Sequence, residues 1–313
     1  NLPLQLIETT DEPRSRTVAQ GALFDEVKAH RDDFRNRLIW GDNKVVMASL
    51  LQEFKGRIDL IYIDPPFDVG ADFSMKVPIG DGNEKASKDP SILEFVAYRD
   101  IWGLGTNSYA SMLFDRISLA KELLSESGSF YLHCDWRVNS LLRAICNEVF
   151  GESFFRNEII WHYENKLGTG WQAKTFDSRH DTIIVYSRSK SYIHNTISEP
   201  VKNRKQQPVT QKIGGKRVWL TNEDGSLRYE EGKETRPVGD VWNIPIINPV
   251  ATERLDYPTQ KPLALLTRII EASSTVDSIV ADFFCGSGTT LEAAERLGRK
   301  WVGCDLGRFS VHT

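Results

Sequence analysis

The stretch Asp64-Pro65-Pro66-Phe67 follows the apolar run Ile58 to Ile63, and its residue types suit the binding of a planar amine. Such an amine is a poor nucleophile, because its lone pair is delocalised into the ring. Two hydrogen-bond acceptors would draw the lone pair out: the Asp64 carboxylate, and the carbonyl of Pro65, which Pro66 holds in an extended conformation. Phe67 offers an aromatic face on which the ring can stack. The alternative is a rigid turn with a helix-capping acid.

The stretch Phe284-Cys285-Gly286-Ser287-Gly288-Thr289 predicts a ligand-binding turn between a strand and a helix. Glycines let the backbone approach a ligand closely, and the helix N-terminus offers N–H groups to a carboxylate or phosphate. Asp305, seventeen residues after Gly288, has the position of an acid that binds ribose hydroxyls. Leu291 replaces the third glycine of the dinucleotide fingerprint, which favours a smaller nucleoside with a carboxylate, such as S-adenosyl-L-methionine. An ordinary strand-to-helix turn is the alternative.

The length and composition limit the classes of protein to which the chain can belong. The chain has 313 residues and a net charge of -4, from 39 basic and 43 acidic residues, which fits one large domain or a domain with an insertion. The balanced charge does not exclude a nucleic-acid partner. Four cysteines without metal-ligand spacing favour free thiols in a reducing cytoplasm, and the motifs imply no metal. We find no membrane-spanning run or signal peptide, and the ends at Asn1 and Thr313 suggest a fragment of a longer protein.

Strand and helix patterns alternate along the chain, which predicts an α/β fold with a mainly parallel sheet. The long polar stretch 68–107 predicts a loop that either closes over a bound base or is disordered. The predicted strands are 37–42, 58–63, 128–134, 159–163, 182–186, 278–283 and 300–304, and the predicted helices are 43–54, 108–125, 138–150, 263–272 and 288–297.

A basic segment begins at Arg188. Between Arg188 and Trp219 there are eight lysines and arginines but one acid, Glu199. Glutamines at 206, 207 and 211 suit adenine edges, so we interpret the segment as a DNA target-recognition element; a solvated insertion is the alternative. The candidate DNA-binding residues are Arg188, Lys190, Lys202, Arg204, Lys205, Lys212, Lys216 and Arg217.

These two motifs, together with Tyr257-Pro258-Thr259-Gln260-Lys261-Pro262, resemble the amino-DNA methyltransferases. The motif order resembles the beta class, most closely the modification (Mod) subunit of type III restriction–modification systems. Asp-Pro-Pro-Phe matches members that methylate adenine at N6, whereas cytosine-N4 members usually begin with serine. The resemblance implies a Rossmann-like S-adenosyl-L-methionine-dependent methyltransferase fold. The resemblance also implies that this fold is circularly permuted. The chain would then begin at the third strand of the usual seven-stranded sheet and end on the second.

The resemblance also implies a function and a division of the chain. We expect a site-specific DNA methyltransferase that flips out adenine and transfers a methyl group to N6, within a restriction system. The alternatives are an N4-cytosine enzyme and a catalytically silent DNA-binding fragment. The expected partners are double-stranded DNA, a restriction subunit and a second copy of the chain. The expected segments are an N-terminal extension (1–36), a catalytic part (37–187), an inserted target-recognition segment (188–256) and a cofactor-binding part (257–313).

The resemblance implies roles for individual residues as well. Asp64, Pro65, Pro66 and Phe67 would hold the target adenine. Asp305 would bind the cofactor ribose, Asp42 would lie near its adenine, and Thr259 and Lys261 near its methionine end. Four residues would form the cofactor loop: Phe284, Gly286, Gly288 and Thr289. Trp161 and Tyr163 are candidates for the base pocket, although buried strand aromatics are the commoner case, and we expect His133 and His180 to be structural.

Overall fold

The computed structural model describes residues 4–5, 34–66, 75–78, 85–88, 106–166, 174, 176–201, 206–255, 257 and 259–307. The chain forms two compact units. The first contains Asn1–Asn195 and Asp240–Thr313, and the second contains Thr196–Gly239. The second unit is shorter than the segment 188–256 expected as an insertion, whose two ends belong to the first unit. Across the described ranges, no helix combines the length and apolar character needed to cross a bilayer.

The first unit alternates strands and helices up to residue 187. In chain order its elements are β1 (Arg37–Trp40), α1 (Asn43–Phe54), β2 (Ile58–Ile63), β3 (Met75–Pro78), β4 (Lys85–Lys88), α2 (Thr106–Leu123), β5 (Leu124–Cys134), α3 (Asn139–Phe150), a 3-10 turn (Glu152–Phe154), β6 (Phe155–His162) and β7 (His180–Ser187).

Six short strands lie in the described part of the second unit, and the chain then returns to the first. The second unit contains β8 (Ser198–Pro200), β9 (Gln206–Pro208), β10 (Thr210–Ile213), β11 (Lys216–Trp219), β12 (Tyr229–Glu231) and β13 (Thr235–Pro237). The first unit resumes with β14 (Val241–Asn243), α4 (Leu263–Ser273), β15 (Ile279–Asp282), α5 (Thr289–Arg296) and β16 (Lys300–Asp305).

One eight-stranded sheet organises the first unit, in the order β1-β16-β15-β2-β5-β7-β6-β14. Its neighbours are parallel except where β7 runs antiparallel to β5 and β6, so the mainly parallel sheet is confirmed. The sequence pattern predicted seven strands and not β14, because three residues carry too little pattern to distinguish a strand. The first and last strands of the sheet in chain order, β1 and β16, are neighbours, as the expected permutation requires.

Helices cover both faces of this sheet, which explains the continuous apolar run of β2. On one face, Ile61 and Ile63 join a core with residues of α1, α2 and α3. On the other face, the Tyr131 hydroxyl of β5 lies 2.7 Å from the Ser273 hydroxyl of α4. Parallel strands with helical connections align their carboxyl ends at one edge of the sheet, and this edge receives the motif residues.

The second unit consists of two-stranded ribbons. β8 pairs with β13, β9 with β12, and β10 with β11, all antiparallel. The β10–β11 hairpin turns at Gly214 and Gly215, whose φ angles of 57° and 81° fit the tight turn that requires two left-handed residues. Every residue of its two strands is exposed.

Only parts of the predicted loop 68–107 lie among the described residues. β3 and β4 pair antiparallel within it, and α2 begins at Thr106, two residues before its predicted start. The expected closure of this loop over a base concerns residues that lie largely outside the described ranges and stays a prediction.

Candidate active site

The motif acid Asp64 and the glycine loop meet at the carboxyl edge of the sheet. Asp64 directly follows β2, and the glycine loop directly follows β15. These strands are parallel neighbours, with Tyr62 opposite Asp282, so the two motifs border the same crevice. Pro65 is buried and Pro66 partly buried beside Asp64, whereas Phe67 lies outside the described residues.

Two side chains approach the Asp64 carboxylate, which is 15% exposed. Lys261 donates from Nζ to Oδ2 and also to the carbonyl oxygen of Thr259, at 3.3 Å. His133 presents Nδ1 at 3.7 Å from Oδ1. Lys261, expected at the methionine end of a cofactor, therefore contacts the carboxylate expected to act on the substrate. The structure thus brings one cofactor candidate, Lys261, into contact with the catalytic candidate Asp64.

The glycine loop has the geometry of a ligand cradle. Gly286 and Gly288 adopt φ angles of 49° and 78°, which side-chain-bearing residues rarely adopt. A Cβ at Gly286 would lie 3.2 Å from the Tyr257 ring, whereas one at Gly288 would meet no atom of the described residues within 4 Å. Gly288 also precedes α5, and within the described part of the chain no side chain caps that helix. The loop therefore leaves room and N–H groups for an anionic ligand at Gly288.

Asp305 lies across from this loop, at the end of β16. Its Oδ2 accepts a hydrogen bond from Gly286 N at 2.8 Å, and its Oδ1 accepts from Gly307 N at 2.8 Å. Each carboxylate oxygen can accept a second hydrogen bond, so the ribose hydroxyls of a nucleoside can be held there. The open glycine cradle, the uncapped helix and this acid together fit a nucleoside that carries a carboxylate.

Asp282, which was not among the predicted site residues, holds the two ends of the cofactor loop. This side chain is buried and accepts from Phe284 N at 2.9 Å and from Thr290 Oγ1 at 2.6 Å. Burial raises the pKa of Asp282 to about 7, the two hydrogen bonds oppose that rise, and the nearby charges of Asp64 and Asp305 add to it. The sequence signal that could have identified Asp282 is an acidic residue at the end of the strand that precedes the glycine loop.

Asp42 is connected to the same edge of the sheet by hydrogen bonds that involve the buried side chain of Arg116. Its carboxylate caps α1 by accepting from Lys44 N at 2.9 Å, and it accepts from Arg116 Nη2 at 3.2 Å. Arg116 also donates to the Asn43 amide, which in turn donates to the Phe283 carbonyl at 2.9 Å. Asp42 is therefore tied to the start of the glycine loop, and its contact with a cofactor adenine stays a prediction.

A buried polar chain lies behind Asp64. His133, fully buried on β5, has Nδ1 2.9 Å from the Tyr62 hydroxyl and Nε2 3.2 Å from Asp181 Oδ2. The Tyr163 hydroxyl donates to Asp181 Oδ1 at 3.2 Å. Trp161 is buried and packs edge-on against His133, at 5.5 Å between ring centroids. Trp161 and Tyr163 thus support this chain from within the sheet, the commoner case that we noted for strand aromatics.

The DNA-binding candidates divide between the two units. Arg188 and Lys190 follow β7, which is antiparallel to β5, so they lie at the sheet edge opposite Asp64. Lys212, Lys216 and Arg217 are exposed on the β10–β11 hairpin. The expected contacts of Lys202, Arg204 and Lys205 lie outside the described residues. The placement of Arg188 and Lys190 gives no support to a DNA contact near the catalytic crevice.

Comparison with known families agrees with this arrangement. Residues 58–312 match the family model described as DNA methylase, which covers both N6 and N4 enzymes. The chain belongs to the DNA methylase family. The predicted amino-DNA methyltransferase family is confirmed by this match. The matched range includes both motifs that border the crevice.

Relatives of this DNA methylase include enzymes of two restriction–modification types. It is 27% identical to the type II methyltransferase M.EcaI of Enterobacter cloacae, covering 89% of this chain and 68% of that one. It is 24% identical to the type III StyLTI Mod subunit of Salmonella typhimurium, covering 92% of this chain and 54% of that one. It is 28% identical to the DNA adenine methyltransferase YhdJ of Escherichia coli, covering 86% and 78%. The methylase thus spans about half the length of the Mod subunit, and the predicted resemblance to Mod subunits is confirmed.

Solved structures show the same fold. The M1.HpyAVI–SAM complex has a TM-score of 0.54 at 19% identity, covering 88% of this chain and 96% of that one. PvuII DNA methyltransferase, described as cytosine-N4-specific, has a TM-score of 0.54 at 17% identity, covering 88% and 84%. At these identities the likeness shows the fold, and the predicted Rossmann-like methyltransferase fold is confirmed.

Proposed function

We propose that this DNA methylase transfers a methyl group from S-adenosyl-L-methionine to the N6 amine of adenine at specific sites in duplex DNA. The placement of Asp64 at the mouth of the crevice, beside the strand that carries the glycine loop, is the observation that supports this most. An aspartate at this position is typical of N6 enzymes, and relatives of this chain include a DNA adenine methyltransferase. A role within a restriction–modification system is proposed on the same relatives.

Some residues of the crevice bind the substrate amine, and others bind the methyl donor. The bound donor supplies an electrophilic methyl group. Asp64 and the Pro65 carbonyl accept hydrogen bonds from the flipped-out amine and localise its lone pair on nitrogen, which is orientation and electrostatic stabilisation rather than covalent catalysis. The glycine loop, the N-terminus of α5 and Asp305 hold the donor. Lys261 fixes the Asp64 carboxylate with one oxygen engaged, which leaves Oδ1 for the substrate.

The β10–β11 hairpin is the part of the second unit that best suits DNA. Lys212 and Arg217 are direct cross-strand partners, and like charges opposite each other destabilise a ribbon unless an anion neutralises them. A two-stranded ribbon fits the major groove of B-DNA. We therefore assign phosphate contacts to Lys212, Lys216 and Arg217 and base reading to Gln211 on the same ribbon.

Transfer of labelled methyl groups to a duplex DNA library, followed by mapping of the modified base, tests the proposal. Methylated adenine at a defined site is expected. Modified cytosine would replace the N6 assignment with N4, and DNA binding without transfer would favour the silent-fragment alternative. Sedimentation of the chain alone and with a restriction subunit would test the proposed homodimer and that partner.

Two substitutions at Asp64 test the assignment of the catalytic carboxylate. Asp64→Asn keeps the side-chain shape but weakens the acceptor, and Asp64→Ala removes it. Each is expected to lower the single-turnover rate by at least about 100-fold, the order seen when one preorganised transition-state contact is lost. Calorimetry should show the affinity for the methyl donor changed by less than about tenfold. A rate close to that of the wild type in either variant would refute the assigned role.

A further inference from the structure

The catalytic edge contains a histidine that the methyl transfer described above does not use. His133 Nδ1 lies 3.7 Å from Asp64 Oδ1, so a shift of about 1 Å would bring the two atoms into hydrogen-bond contact. Its Nε2 lies 3.2 Å from Asp181 Oδ2. The imidazole is therefore placed between two carboxylates, one of which is the proposed substrate-binding group.

Asp181 determines which ring nitrogen of His133 can act. A carboxylate only accepts hydrogen bonds, so Nε2 carries a hydrogen and, in the neutral ring, Nδ1 holds the lone pair. Burial raises the pKa of Asp181, but the hydrogen bond from His133, the charge of that ring when it is protonated, Lys261 and Tyr163 bring it below its usual value. Asp181 is thus an anion that holds the ring with its basic nitrogen directed to the Asp64 side.

The Tyr62 hydroxyl completes the surroundings of Nδ1. Burial, followed by the charges of Asp64, Asp282 and Asp181, raises the pKa of Tyr62 well above its usual value. Tyr62 therefore stays protonated, donating to neutral Nδ1 at 2.9 Å. A hydroxyl can turn and accept instead, so Tyr62 accommodates both protonation states of His133.

A contribution to stability does not readily explain why these polar groups lie inside the sheet behind Asp64. Burying a histidine and most of a carboxylate inside a sheet costs desolvation energy, and apolar side chains of similar volume often stabilise such positions equally well. The neighbours of His133 along β5, Leu132 and Cys134, are both fully buried and apolar. The polar chain sits directly behind Asp64, and buried titratable groups with shifted pKa values are concentrated at functional sites.

We propose that His133, oriented by Asp181, receives the proton that Asp64 takes from the target amine. The inference rests on the proposed function. The amine nitrogen bonds to the methyl carbon as the carbon–sulfur bond breaks, and the positive charge passes to nitrogen. One N–H proton then moves to Asp64 Oδ1, and from there to the lone pair of His133 Nδ1. The products are neutral methylated amine, ionised Asp64 and an imidazolium.

The charges around the two groups favour this second transfer. Lys261 contacts Asp64, and a cation next to a carboxylate disfavours its protonated form. Once the proton is on His133, the imidazolium lies between the anions of Asp64 and Asp181. The Asp181 side chain is 18% exposed, whereas His133 is fully buried, so Asp181 also provides a route by which the proton reaches solvent. Trp161 packs on the same ring and carries no charge.

The steady-state rate and its pH dependence test the proposal in His133→Asn, Asp181→Asn and a control. The control is His162→Asn, because His162 lies at the same sheet edge and its partner among the described residues is the amide of Asn243, at 2.9 Å. His133→Asn is expected to lower kcat roughly tenfold or more, with KM for donor and DNA within about twofold. The decrease of kcat at low pH that is expected in the wild type should be absent from the pH profile of this variant, and this decrease is called the acid limb. In Asp181→Asn that limb should move to lower pH, because the imidazolium loses its neighbouring anion.

Nitrogen NMR of the His133 ring provides a readout that does not depend on turnover. His133→Asn identifies its signals, and Asp64→Asn should move the ring titration to lower pH by removing a second anion. An unchanged titration in Asp64→Asn, or a His133→Asn profile equal to that of wild type, would overturn the proposal. Methylation of cytosine by the wild type would refute only the adenine assignment, since the same proton leaves that amine.

Discussion

Asp282→Asn is the substitution whose effect on stability the structure predicts most directly. The folded state holds this carboxyl buried, 2% exposed, with its pKa raised from 3.8 to about 7. In the unfolded chain the group ionises near its ordinary value. Between about pH 4 and 7 the folded state therefore binds more protons than the unfolded state, and stability falls as the pH rises.

The size of the effect follows from that difference in pKa. A rise of about three pH units corresponds to about 4 kcal/mol, with a slope of about 1.4 kcal/mol per pH unit. Asparagine has no charge to desolvate and can still accept from Phe284 N through its oxygen while donating to the Thr290 hydroxyl. The stability gain of Asp282→Asn over wild type should therefore grow from pH 4 to 7 and level off above pH 7.

Chemical denaturation of the full chain at pH 5, 6, 7 and 8 measures this difference. Glu148→Gln, at an exposed position on α3, serves as the control for loss of one carboxylate and sets the baseline slope. A difference between Asp282→Asn and wild type that is flat with pH, or that shrinks as the pH rises, would refute the reasoning. The comparison between variants also removes the opposite contribution of carboxyls such as Asp181, whose pKa is lowered.

Two further predictions concern charged side chains. Lys261→Met should lower kcat by about tenfold or more because the Asp64 carboxylate loses the cation that fixes it; unchanged kcat with only weaker donor binding would instead assign Lys261 to the cofactor alone. The double substitution of Lys212→Gln and Arg217→Gln should weaken DNA binding at all sequences and reduce the slope of log K against log salt by about 2, measured by fluorescence anisotropy. Lys190→Gln, at the sheet edge opposite Asp64, is the control for loss of a positive charge elsewhere on the chain; an equal loss of affinity in that variant would contradict the hairpin assignment.

Most of the first unit could be predicted from local sequence pattern. The helix 43–54 and the strand 58–63 have the predicted bounds, because a capping aspartate, a helical apolar period and a continuous apolar run are all local signals. β14 was missed since its place beside β6 depends on contacts with residues eighty positions away. The bounds of the second unit were not predictable for the same reason.

The candidate site also contains features that the sequence predicts and features that it does not. The two motifs and their expected chemistry can be predicted from the sequence, because an acid before two prolines and a glycine turn before a helix act through their own local geometry. The groups that surround Asp64 cannot be predicted in this way. Lys261, His133 and Asp181 come from distant parts of the chain: His133 lies on β5, Asp181 at the start of the antiparallel β7, and Lys261 in the segment before α4. Contacts between residues far apart in sequence are fixed by packing, which no short window of sequence records.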